Sequence, residues 1–113
     1  MLNNVMIKEI NFGGELRPVK YGWSALALFG ELSNTGLSNL EKFETDMTFS
    51  DVLFLIFAGL KDGARVAKKE FTLTVEDIGD FLDAEPDKLQ EFLDIFASQM
   101  PEPKNLKAPG TGR

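Results

Sequence analysis

At 113 residues, with 12 basic and 18 acidic side chains and a net charge of -6, the chain is sized for one domain with short tails. That balance argues against a duplex nucleic-acid binder, whose affinity comes from neutralising phosphates, and gives no general attraction to an anionic membrane. The chain has no His and no Cys, which excludes thiol nucleophiles, disulfides, imidazole bases and zinc sites of the Cys/His type.

Residues 1–4 read as a flexible leader. Asn3, Asn4, Lys8 and Glu9 follow Met1 too closely to leave room for the apolar core of a signal peptide, so an intracellular protein is expected. Val5 to Ile10 is rich in β-formers and predicts a strand. Asn11-Phe12-Gly13-Gly14 supplies turn chemistry, because two glycines adopt positive φ without steric cost. The chain returns through Glu15 to Tyr21, where Pro18 lacks an N–H and limits this segment to an edge strand.

Gly22 breaks the pattern, and Ala25, Leu28, Phe29 and Leu32 then form one helical stripe that ends at Ser33-Asn34-Thr35-Gly36. Leu37, Leu40 and Phe43 suit one or two further helical turns capped by Ser38. Thr48, with Asp51 three residues on, resembles a capping box. Directly after it comes Val52-Leu53-Phe54-Leu55-Ile56-Phe57-Ala58-Gly59-Leu60, without one polar residue.

A helix with a single dry face alternates apolar and polar positions. This block does not, and it is far too short for a bilayer, which needs about 20 residues. Either the domain wraps it or a partner covers part of it. Ala58-Gly59 would admit a neighbouring backbone, and a buried helical turn fits equally well. Helical signal continues to Lys69, although Gly63 weakens it by about 1 kcal/mol relative to Ala.

Thr74-Val75-Glu76-Asp77 is a second capping signal, opening a short amphipathic helix through Ile78, Phe81 and Leu82. Pro86 suits a first helical position, and Leu89, Phe92, Leu93, Phe96 and Met100 form an amphipathic stripe. Pro101 and Pro103 stop it, and residues 101–113 read as a disordered tail. The fold expected is mainly α, an N-terminal β-hairpin followed by a compact bundle of about four to five helices, in a single domain over residues 5–100.

No constellation suggests catalysis, a metal or a cofactor. The acids from Glu76 to Asp94 lack the glycine-hinged loop of a calcium site and serve first to solvate two helices. The basic run from Lys61 to Lys69 is first a solvated helix end favoured by the macrodipole. Acidic and basic patches on one surface also permit head-to-tail assembly into a homo-oligomer. Ten Phe against one Trp and one Tyr is the stronger clue, since surfaces made of Phe and Leu shield another chain's helices. Helical spacing alone favours core for each of them. The candidate partner contacts are Leu53, Phe57, Phe92 and Phe96.

The order of segments, a hairpin followed by YGWSALALFGEL, then TFSDVLFLIFAGLKDGARVAKKEFTLTVEDIGDFLD, then PDKLQEFLDIFASQ, resembles the tail assembly chaperones of long-tailed bacteriophages and prophages. It covers residues 5–100, and its motifs are structural. The resemblance implies a non-enzymatic protein of the host bacterial cytoplasm that coats the apolar, helical tape measure protein, is displaced by tail-tube subunits and is absent from the virion. It also implies a longer, frameshifted form that recruits tail-tube protein. Asn105-Leu106-Lys107 is compatible with a slippery AAU UUA AAA. The competing reading is a minor structural phage protein, a head–tail connector or tail component. A DNA-binding role for the segment from Thr74 to Met100 would set Glu76, Asp77, Asp80 and Asp83 against phosphate.

Overall fold

The computed structural model describes residues 7–33 and 48–99. Two antiparallel strands, β1 (Lys8–Phe12) and β2 (Glu15–Val19), form a hairpin. Gly13 and Gly14 alone make its turn, with φ of 66° and 85°, the left-handed pair that matches the twist of a two-residue hairpin. Phe12 pairs with Glu15, and the register runs outward to Lys8 opposite Val19. The strand therefore reaches two residues further than the sequence pattern suggests, with Asn11 and Phe12 inside it. Pairs alternate between bonded and non-bonded outward from such a turn, which leaves Pro18, opposite Glu9, where no N–H is needed.

Four helices follow among the described residues, giving a mainly helical domain. They are α1 (Trp23–Ser33), α2 (Phe49–Ala67), α3 (Val75–Ala84) and α4 (Lys88–Gln99). Both capping boxes form. Thr48 Oγ1 accepts from Asp51 N while Thr48 N donates to the Asp51 carboxylate, and Thr74 and Asp77 repeat the exchange. α2 ends on Lys68, held left-handed at φ 61° while the N–H of Lys69 closes on the Ala64 carbonyl. Pro86 and Asp87 form a turn before α4 rather than its first turn, since the N–H of Lys88 bonds back to Glu85. The turns expected around Leu37, Leu40 and Phe43, the 1–4 leader and the 101–113 tail with Asn105–Lys107 lie outside the described residues. No described helix is long and apolar enough to cross a membrane.

The hairpin is the keystone of the packing. Its inner face carries Ile10 and Phe12 into the core, where Phe12 meets Phe81 of α3 and Phe92 of α4 edge-on, with ring centroids 5.2 and 4.9 Å apart. Gly13 lies against the Phe81 ring with no room for a β-carbon. The Arg17 guanidinium covers the same ring, 5.5 Å from its centroid, and its Nε donates to the Phe12 carbonyl at 2.6 Å. On its other side, β2 lies along α2. A β-carbon on Gly63 would strike the Pro18–Val19 peptide, and one on Gly59 would strike the Tyr21 ring. The N–H of Lys20 donates to the Gly59 carbonyl at 3.1 Å.

The apolar block is thus divided. Leu55, Ile56, Ala58, Gly59 and Leu60 are buried by the domain itself, while Val52, Leu53, Phe54 and Phe57 are half-buried. Of the two readings of Ala58-Gly59, the structure gives the buried helical turn, with the Tyr21 side chain of the same chain against Gly59.

Candidate functional site

α2 begins one turn before the apolar block, at Phe49, and this residue is 93% exposed. Thr48 occupies the N-cap, so Phe49 is the first helical residue and projects from the helix end. Leu53 and Phe57 follow at four-residue intervals, the spacing of a ridge on a helix surface. Leu53 runs beside Gly79 of α3, 4.0 Å from where a β-carbon on that glycine would sit. Phe57 lies edge-on to Phe71 at 5.4 Å. Covering one Phe side chain fully is worth about 1.5–3 kcal/mol, so a partner that seats on Phe49 recovers most of that.

The four residues singled out from sequence do not form one surface. Leu53 and Phe57 share the α2 row. Phe92 is 0% exposed: it is a core residue beneath Phe12 and presents nothing to a partner in this fold. Phe96 is half-buried and packs edge-on against Tyr21 at 5.2 Å. The α4 pair therefore holds the hairpin, and the α2 pair lines the surface. In sequence Phe49 is one of ten Phe whose helical spacing favours core, because the continuous apolar signal starts three residues later. Its place next to a capping threonine was the available sign of exposure. Trp23 and Leu16, 59% and 51% exposed, carried no sequence signal of exposure.

Two polar clusters sit behind this surface. Asp62, 5% exposed, receives Lys20 Nζ at 3.3 Å and Arg65 Nε at 2.8 Å. Tyr21 is wholly buried, its hydroxyl donating to the Leu55 carbonyl at 2.9 Å and its N–H to Gln99 Oε1 at 2.7 Å. Burial pushes the Tyr21 phenol far above its ordinary range. Both clusters bind the hairpin to the helices. Among the described residues no group of three or more carboxylates is placed to hold a metal ion.

In comparisons with known proteins the chain matches no family model, no curated protein and no solved structure.

Proposed function

We propose that this chain is a non-enzymatic assembly chaperone of the phage-tail class. In this reading it works in the bacterial cytoplasm, in several copies along one client. It shields the apolar helical surface of a tape measure protein until tail-tube subunits replace it. The order of segments from hairpin to last helix supports the class, and the row Phe49, Leu53 and Phe57 carries the reading physically. A large aromatic left 93% exposed at the start of a row of apolar side chains is what covering another helix requires.

Co-expression of the client with this chain, followed by pull-down and a solubility assay, tests the proposal. The wild-type chain is expected to hold the client in a soluble complex with many copies per client. Phe49→Glu should lose it without unfolding, because an acid in the first turn of a helix is favoured by the macrodipole. A client that precipitates equally with and without the wild-type chain overturns the proposal. So does recovery of this chain as a stoichiometric part of purified particles.

A further inference from the structure

The apolar row runs into a largely apolar groove edged by cations. Phe57, its third member, lies against Phe71 and has the Lys61 ammonium over its ring at 5.8 Å. Phe71 in turn lines a groove of about 340 Å³ between α1 and the C-terminal half of α2, with Leu28, Ser24, Lys61, Arg65 and Lys69. Asp62 also borders it, but that carboxylate is engaged by Lys20 and Arg65. The charge left facing the groove is the positive charge of Lys61 and Lys69, which have no ion-pair partner among the described residues. Lys61 lies within α2 and Lys69 just past its C-terminal end. A small anion meets one or two of these cations, whereas carboxylates spaced along a helix meet them in succession. In a protein of net charge -6, this is a positive edge on an apolar groove that continues the apolar row.

We infer that the surface is bipartite and selects the direction of its partner. The occupant is an amphipathic helix whose apolar stripe lies on Phe49, Leu53 and Phe57 and whose acidic residues follow at the end that reaches the groove. The inference rests on the row being the partner-binding surface and adds an order to it: apolar first, acidic second. A second copy of this chain fits less well. Its α3 presents Glu76, Asp80 and Asp83 to solvent, but Ile78 of that helix is buried and Val75, Phe81 and Leu82 are half-buried, so it brings acids without an exposed apolar anchor such as Phe49.

Three synthetic helical peptides with one shared apolar stripe, ending in Glu, Gln or Lys residues, test this by fluorescence anisotropy. The Glu peptide is expected to bind about tenfold tighter than the Gln peptide at low salt, and the Lys peptide weaker than both. The differences should collapse at about 0.5 M salt, where the screening length falls to a few ångströms. Placing the same Glu residues at the middle of the stripe should abolish the gain, and the Lys61→Glu, Lys69→Glu double variant should reverse the order of preference. Phe49→Glu should weaken all three peptides.

Equal binding of all three peptides through the row overturns the inference and leaves the proposed function standing. Binding of none overturns both. Salt-dependent self-association that the Glu peptide does not displace assigns the groove to a second copy and also overturns it.

Discussion

Gly59 of α2 lies directly beneath the phenol ring of Tyr21, so close that a β-carbon at that position would overlap the ring. One turn on, Gly63 does the same for the Pro18–Val19 peptide. Two glycines in a long helix are costly by propensity, about 1 kcal/mol each against Ala. Here they form the notch into which the hairpin fits, and the fold depends on the notch. Replacing either with Ala should therefore destabilise the domain, by about 1–3 kcal/mol for overpacking. Gly63→Ala should be the worse, because the clash is with backbone that cannot rotate away. Gly79→Ala in α3 is the contrasting case. Its β-carbon would find only Leu53 Cδ1 at 4.0 Å, an ordinary contact, and stability should rise by about 0.5–1 kcal/mol. Denaturant midpoints of the three variants check the sign of each.

Tyr21 gives the fold an alkaline limit. Its buried phenol is held neutral well above the ordinary tyrosine range near pH 10. Above about pH 10 the unfolded chain loses this proton and the folded chain does not, so the folded state binds more protons and stability falls as pH rises. The slope from this one group is about 1.4 kcal/mol per pH unit. Below that pH the contribution is fully present. Tyr21→Phe should cost about 1 kcal/mol at neutral pH for the lost bond to the Leu55 carbonyl. It should also make the decline above pH 10 shallower than in the wild type. Urea unfolding at pH 8, 10 and 11 measures both.

Asp62 is a junction between hairpin and helix, and its two partners are unequal. The Lys20 side chain is 17% exposed and the Arg65 side chain 61%. An exposed pair contributes about 0–1 kcal/mol, so Arg65→Gln should change stability by less than about 1 kcal/mol. Asp62→Asn leaves the Lys20 ammonium poorly hydrated and without its counter-charge, and should cost about 2–4 kcal/mol. Chemical denaturation of the two variants, with Lys20→Met as a third, tests the asymmetry. In Lys20→Met most of the loss caused by Asp62→Asn should disappear.

What the sequence made legible was local. The Thr48–Asp51 and Thr74–Asp77 spacings give both capping boxes, the glycine pair gives the hairpin turn, and the fold class follows from the order of these segments. What it could not resolve depends on contacts distant in the chain. Val52 to Leu60 is apolar on every side, so periodicity could not say which face would be covered. That choice is made by where the hairpin lands, and Gly59 and Gly63 determine it through residues some 40 positions earlier. Asp62 and Arg65 look like an ordinary surface pair three residues apart until Lys20 closes over them. No glycine marks the end of α2, because Lys68 takes the left-handed position itself. Of the candidate site, Leu53 and Phe57 were legible as members of the apolar block. The stripe through Phe92 and Phe96 was legible only as a face to be covered, and the hairpin of the same chain covers it.

Phe92 and Phe49 separate folding from partner binding, and the separation is measurable. Phe92 is fully enclosed, edge-on to Phe12. Phe92→Ala removes a core ring that its neighbours cannot replace and should cost about 3–5 kcal/mol, a large share of the roughly 5–15 kcal/mol that holds an ordinary domain together. Because Phe92 is 0% exposed, any loss of client binding in that variant reports a weakened fold. Phe49 is the opposite case: with 93% of its surface in water, its replacement should leave stability within about 0.5 kcal/mol, and Glu there should add a few tenths through the helix dipole. Circular dichroism melts and client pull-downs on the same two proteins give the decisive pairing. Phe49→Glu should melt at or slightly above the wild-type temperature and bind the client weakly. A Phe49→Glu protein that is stable and still binds as well as the wild type would remove the α2 row from the binding surface.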